Sequence, residues 1–369
     1  MRTIRRLLYL DIVSSVGFVA VAFLSLFFFI DFVDELDSIG QHGRTAWHAA
    51  AGALLELPGH FYELFPIAVL IGTIYSLARM AQSSEFTILR TGGLGPQRAL
   101  GLLAVLGAAF GVLTFVVGDF VAPATERQAV LLKARTTGGL KFGGTGAWLK
   151  DRSSDGERSS SVNVAGTSGS GLLQGIRIFE FNADGRLVRR IEARQGKVGA
   201  DGDWALVDAD VTRWPSATAS GSAAAIDEQR HAGFDWPSTM SAAVVAAAVL
   251  PVGTMTTLDL WRYSQHLSGH EQAAQRYQIQ FWKKALYPLA CLVMMALALP
   301  FAYLHARAGG VSLKVFGGIM LGISFVLLNN VAGHLGLLRD WTPWIAAATP
   351  SGIYLLLSLA AFWWLVRYR

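Results

Sequence analysis

The chain is poor in charge and nearly devoid of cysteine. Of its 369 residues only 15% are charged, while 53% are hydrophobic. Soluble domains carry about 25% charged residues, so the whole chain does not read as an ordinary soluble domain. The formal charge is only +5, and no run of Lys and Arg forms a block. Nothing in it points to a nucleic-acid partner. The single cysteine, Cys291, excludes an intramolecular disulfide; inside an apolar run it reads as a small buried or lipid-facing side chain. There is no Gly-x-x-x-x-Gly-Lys-Ser/Thr phosphate loop, no His-Glu-x-x-His pair and no Gly-x-Ser-x-Gly elbow, so the motifs of nucleotide, zinc and serine chemistry are missing.

What the chain does have is long apolar runs. Three span roughly residues 10–32, 61–78 and 99–118, and three more span roughly 285–304, 315–333 and 343–366. Each has about the 17–25 residues a helix needs to cross a bilayer. The start, Met1-Arg-Thr-Ile-Arg-Arg6, resembles the basic head of a signal peptide. The run behind it is too long for one, which predicts a retained first helix.

About 165 polar residues separate the two triplets of runs, and they read as strands. Segments 146–150, 161–164 and 175–181 alternate apolar with polar residues. Asn182-Ala-Asp-Gly185 turns into 186–192, and Asp201-Gly-Asp203 turns into 204–207 and 211–214. Short strands separated by Asp-Gly turns predict a sandwich or barrel-like β domain. The Ser/Gly/Asp-dominated segment 151–171 predicts a mobile loop. The Ala/Val run 242–252 is too short to span, and Pro251 and Gly253 close it; it reads as a terminal strand or linker. Helices are expected from Thr257 and over roughly 272–284, the second feeding the fourth apolar run.

Basic residues set the orientation. Arg2, Arg5 and Arg6, then Arg79, Arg90 and Arg98, then Arg307 and Lys314, and finally Arg367 and Arg369 all fall on one side if the termini share a side. The positive-inside rule makes that side cytoplasmic. Asp34-Glu-Leu-Asp37 and the polar insert then lie outside, with Lys283 and Lys284 at the outer mouth of the fourth helix.

Few polar groups inside the runs suggest chemistry. His305 and His334 stand alone at helix ends and read as interfacial histidines. Asp119 and Asp259 are not deep in lipid, and no acid–base set suited to proton relay or intramembrane catalysis is evident. Asn329-Asn330 reads as interhelical hydrogen-bonding glue, and Gly107-x-x-x-Gly111 and Gly318-x-x-x-Gly322 as sites of close helix contact.

The loop between the second and third runs is more specific. Ser84 is placed as an N-cap, Glu85 sits in the first turn, and Gly92-Gly93 ends the helix. Phe86 and Leu89 share a face at i and i+3. The segment reads equally as a lever held between two spans and as an amphipathic interfacial turn.

Several motifs together carry a family resemblance over nearly the whole chain. They are Phe32-Val-Asp-Glu-Leu36, Met80-Ala-Gln-Ser-Ser-Glu85 with Gly92, and Val121-Ala-Pro123. Further along come Gly269, Arg276-Tyr277-Gln278, Trp282-Lys283 and Met294-Met295-Ala296-Leu297. The chain resembles the LptF/LptG-type permeases of lipopolysaccharide-export ABC transporters, nearer the LptG branch. The resemblance implies an α-helical membrane protein of six helices in a 3+3 arrangement with an inserted periplasmic β-jellyroll. The divisions it implies are 1–120, with a coupling helix at about 84–91, then 121–256 for the jellyroll and 257–369 for linker helices and the last three spans.

The resemblance further implies a multi-pass inner-membrane subunit without ATPase chemistry of its own and without cofactor or metal. Its partners would be a homologous LptF-type permease, a cytosolic LptB-type ATPase dimer and a single-span LptC-type bridge protein. The coupling residues would be Ser84, Glu85, Phe86, Leu89 and Arg90, and lipopolysaccharide would be the cargo. Related chains carry lysines just after Phe-Val-Asp-x-Leu that are linked to substrate phosphates. Here those positions are Asp37 and Ser38, which turns attention to Lys133, Arg135, Lys283 and Lys284. These four read equally as phosphate contacts and as side chains snorkelling to the interface. The alternative function is a non-transporting mechanotransmission or envelope-assembly subunit, a class that usually has four spans. A lipid-modifying enzyme lacks any convergent acid, base or metal set here.

Overall fold

The computed structural model describes residues 2–36, 39, 45–91, 93, 95–137, 140–141, 146–152, 158–167, 172–199, 203–214, 226–238, 252–266, 271–303 and 310–368. The expectations for Asp37, Ser38, Gly92, the run 242–251, Gly269, His305 and Arg307 lie outside the described residues.

The helices are α1 (Arg2–Leu36), α2 (Ala46–Gln82), α3 (Glu85–Thr91), α4 (Pro96–Val116), α5 (Ala122–Thr137), α6 (Thr257–His266), α7 (Glu271–Tyr303), α8 (Val311–Leu338) and α9 (Pro343–Tyr368). Six helical segments are long and apolar enough to cross a membrane, within α1, α2, the α4–α5 continuation, α7, α8 and α9. Backbone contacts divide the chain into two compact units. One holds Met1–Glu35, Ala53–Glu126 and Thr256–Arg369, and the other Leu36–Gly52 and Arg127–Met255.

In the first unit α2 is the central helix, with 78% of its most apolar window buried against 11% for α1. Among the described residues of α1 the buried ones are Leu8, Ile12, Ser15, Val16 and Ala20, and Leu8, Ile12, Val16 and Ala20 keep the i+4 spacing of a single helix face. It shares an apolar cluster with Phe65, Ala68, Val69 and Leu77 of α2. Tyr9, Val19 and Phe23 flank that stripe, while Phe18, Val21 and Phe29 face outward, as a lipid-facing surface does.

Small residues set how closely the helices approach. A Cβ on Gly72 would lie 2.6 Å from the Val16 Cα, so α1 and α2 meet backbone to backbone there. The two Gly-x-x-x-Gly motifs both pack within this chain. Gly107 and Gly111 face Leu292 and Pro288 of α7, and Gly318 and Gly322 face Ile74 and Ile67 of α2.

Two of the spanning helices depart from the apolar pattern. The second helix begins at Ala46, well before its apolar run, and continues through Pro58. A membrane helix tolerates such a proline because neighbours re-satisfy the freed backbone groups. The third helix does not stop near residue 118 either. A π-helical turn, Val117–Val121, joins α4 to α5. Pro123 follows this widened turn, where the i→i−4 ladder is already interrupted. Asp119 lies buried in the turn, and its Oδ1 accepts the Thr257 N–H at the start of α6 at 2.6 Å.

The second unit carries β1 (Leu140–Lys141), β2 (Ala147–Arg152), β3 (Ser159–Thr167), β4 (Leu173–Phe181), β5 (Leu187–Val198), β6 (Trp204–Arg213) and β7 (Asp227–Trp236). They form one antiparallel sheet in the order β1-β3-β4-β5-β6-β7, with β2 beside β1 on the same edge of β3. Strand β3 occupies much of the segment expected to be a mobile loop. The strand expected over 161–164 is there, its Ser161, Val162, Asn163 and Val164 pairing with β4, and it extends over Ser159–Thr167 on the anchoring of the buried Val162 and Val164.

One face of the sheet makes a single core, from Leu149 through Ile176, Ile178, Ile191, Trp204 and Val211 to Trp236. The pairing passes over Ala165, Gly175, Arg194, Asp208 and Ala232, which face one another in turn across five strands. Gly175 and Asp208 have φ of 61° and 52°. Buried positions change parity across this line, from Leu173 to Ile176 on β4 and from Leu206 to Ala209 on β6. The sheet is therefore folded along one line, which is how a single sheet curls over its own inner face. Gly175 is required there, because a Cβ would sit 2.8 Å from the Ala165 Cβ.

Candidate coupling and substrate sites

Helix α3 is seven residues long. The Ile88 N–H donates to the Ser84 carbonyl at 3.1 Å, which puts Ser84 at the cap position. Its φ of 62° is left-handed, unlike the extended backbone of an ordinary N-cap. The chain therefore turns sharply out of α2 into α3. After α3, Gly93 has φ 99°, and Arg98 Nη1 donates to the Gly93 carbonyl at 3.1 Å, closing the loop.

The faces of α3 divide clearly. Leu89 packs against the apolar cluster that contains Leu8, Leu77, Met80 and Leu103. Ile88 is 67% exposed, and Glu85 is exposed as well. The side chains of Phe86 and Arg90 lie outside the described residues. Leu89 thus seats the short helix on the first unit while its other face is presented outward.

An open cleft of about 680 Å³ lies beside Glu85, lined also by Arg6, Asp11, Arg79 and Met80. Asp11 accepts a hydrogen bond from Ser76 at 2.5 Å and is ion-paired with Arg79. It lies within the first apolar run, and so does Asp31. Asp31 Oδ2 is 2.9 Å from His60 Nε2. Each of these two acids is thus answered by a residue of α2. The sequence reading passed over both, although an ionisable residue in a span signals a partnered or functional group by default.

The four basic candidates divide between the two compact units. Lys133 is exposed on α5 and Arg135 follows on the same helix, both in the second unit, and the Arg135 side chain lies outside the described residues. Lys283 and Lys284 belong to the first unit, on α7. Lys283 is half-buried, and its Nζ donates to the Asn329 carbonyl of α8 at 3.0 Å. It lies against Gly333, where the absent side chain leaves it room. Lys284 is half-buried too, and its charge acts on Glu126.

The other polar candidates resolve simply. The Asn pair contributes main-chain acceptors, Asn329 to Lys283 and Asn330 to the ring of the exposed His334. Cys291 is fully buried, with its Sγ 3.3 Å from the Thr114 Oγ1.

Comparison with known proteins covers the same length of chain. Residues 6–367 match the family Lipopolysaccharide export system permease LptF/LptG. The lipopolysaccharide export system permease protein LptG of Escherichia coli is 30% identical over 352 residues, spanning 93% of this chain and 92% of the relative. The LptG of Haemophilus influenzae is 25% identical over 374 residues, covering 100% of this chain and 99% of the relative. With six membrane-length helices, an antiparallel sheet and a match running almost end to end, the chain belongs to the LptF/LptG family of lipopolysaccharide export system permeases.

Proposed function

We propose that this chain is a permease subunit that extracts lipopolysaccharide from the outer leaflet of the bacterial inner membrane and passes it to a periplasmic bridge. The observation that carries the reading is the near end-to-end similarity to LptG. In this reading the six spans form a 3+3 arrangement. The first three occupy residues 1–120, and the last three follow linker helices within 257–369. Residues 121–256 form a periplasmic jellyroll, a proposal supported by the fold line across the sheet. The distribution of Arg and Lys supports cytoplasmic termini.

A homologous LptF-type permease pairs with this chain around a cavity, and a cytosolic LptB-type ATPase dimer sits beneath. Segment 84–91 is the coupling helix. Glu85, with Ser84, Phe86 and Arg90, meets the ATPase, while Leu89 ties the helix to the spans. ATP hydrolysis takes place in the partner, closure of the cavity expels the lipid, and an LptC-type single-span protein receives it. Lys133, Arg135, Lys283 and Lys284 are proposed to meet substrate phosphates. For Lys283 this requires exchanging the Asn329 carbonyl for a phosphate oxygen, a stronger acceptor.

Photocrosslinking in vesicles tests the reading. Wild-type protein, assembled with its partners, should crosslink to lipopolysaccharide, and ATP should reduce the yield. The double variant Lys283→Gln/Lys284→Gln should crosslink less at equal protein level. Absence of any lipopolysaccharide adduct in the wild type would overturn the transport reading. Equal adducts in wild type and variant would remove the two lysines from the site. The non-transporting mechanotransmission or envelope-assembly alternative predicts no adduct, and the six spans speak against it.

A further inference from the structure

Helices α1 and α2 bring three metal-ligating groups together near the end of α1. Asp31 comes from α1, and Glu56 and His60 come from α2 at i and i+4, one face of a helix. One ligand atom from each lies within 4.8 Å of the other two. All three residues are partly buried and belong to the first compact unit. We propose that Asp31, Glu56 and His60 form a binding site for a divalent first-row transition cation, of which zinc is the representative.

The donor set fits that class. One imidazole with two carboxylates suits zinc and its neighbours better than the all-oxygen shells of magnesium or calcium. Zinc–ligand bonds of about 2.0–2.2 Å put tetrahedral ligands about 3.4 Å apart. Asp31 Oδ2 and His60 Nε2 stand at 2.9 Å, so this pair must open by roughly half an ångström. The widest separation must close by at most about 1.4 Å to reach the same spacing, which side-chain rotation supplies. Three protein ligands leave at least one position for an outside oxygen donor. Without the ion, His60 and Asp31 satisfy one another.

The surroundings favour a cation. Glu126 reaches the same region because Gly59 carries no side chain; a Cβ there would collide with the Glu126 carboxylate. Glu56, Glu63 and His60 act on Glu126 along with Lys284. Among the described residues, Asp31, Glu56 and Glu126 therefore set three partly buried carboxylates, with the exposed Glu63 beside Glu126, against Lys284 and His60. Partly buried carboxylates in excess raise one another's cost unless a cation lies among them. Phe27 covers the His60 ring at a centroid distance of 4.7 Å, fixing its plane as a ligand environment does.

The test uses the full chain, purified with whatever partners accompany it, stripped with chelator and titrated with zinc alone against a competing fluorescent chelator. One tightly bound zinc per chain is expected. Glu56→Gln and His60→Gln should each weaken it at least tenfold. Asp31→Asn, which keeps a hydrogen-bond acceptor for His60, should do the same. Wild-type protein that takes up no stoichiometric zinc overturns the proposal whatever the variants do. So does uptake that survives all three substitutions, which would leave Asp31–His60 as an ion pair only. Metal is read on the resting protein, so the outcome is independent of whether the chain moves lipopolysaccharide.

Discussion

The ammonium of Lys283 donates to the main-chain carbonyl of Asn329 at 3.0 Å, linking α7 to α8. This lysine is held at an interface between helices, and Gly333 leaves the space it occupies. A hydrogen bond from a charged donor contributes about 1.5–3 kcal/mol. Gly333→Ala puts a Cβ against the Nζ and 2.9 Å from the Cε of Lys283. The alanine variant should therefore lower the thermal midpoint of the purified protein, and Lys283→Met should lower it similarly. The double variant should fall less than the sum, because both changes disrupt one contact. Fully additive losses would show that Gly333 and Lys283 act apart.

Glu180 is a buried carboxylate in the sheet. It accepts two hydrogen bonds from Arg189, at 2.7 and 2.6 Å, and one from the Trp236 indole at 2.6 Å. Glu180→Gln removes the charge that both partners address. A loss of roughly 2–4 kcal/mol is expected, read as faster proteolysis of the sheet. Arg189→Ala should give a comparable loss. Unchanged protease resistance in both would contradict the contact's role.

Gly175 sits on the fold line at φ 61°. Gly175→Val adds a β-branched side chain where the left-handed region costs about 1–2 kcal/mol and where the Ala165 Cβ already stands. Gly185, also at positive φ (74°), has open space around it. Gly185→Val should therefore cost less than Gly175→Val in the same proteolysis assay. Equal losses would mean that the crowding at Ala165 does not matter.

Glu85→Lys reverses the charge on the exposed first turn of α3. Recovery of the ATPase with the chain should fall severalfold while membrane insertion stays normal. Because Glu85 is exposed, no loss of stability should accompany the change. Undiminished ATPase recovery would remove Glu85 from the coupling surface.

The spans were legible because about twenty consecutive apolar residues admit few other solutions. Their extensions were not. Residues 46–60 contain His48, Glu56, Pro58 and Gly59 and lie outside the expected run 61–78, yet α2 runs through them. Strand β7 was missed because Asp227-Glu-Gln-Arg-His231 carries no alternation; among the described residues it pairs with β6 alone, and it is largely exposed. For the candidate sites, the sequence located α3 but not which of its residues anchors it. Leu89 packs on the apolar cluster, and neither its partners nor those of Asp11 and Asp31 are neighbours in sequence. Lys283 and Lys284 read as a pair, but consecutive helical residues point about 100° apart, so Lys283 meets α8 while the charge of Lys284 acts on Glu126.

Co-purification from native membranes tests the central claim most directly. The tagged chain, extracted under mild conditions, should bring one homologous permease and a cytosolic ATPase dimer in fixed ratio. A chain recovered alone, or with an ATPase but no second permease, would contradict the account.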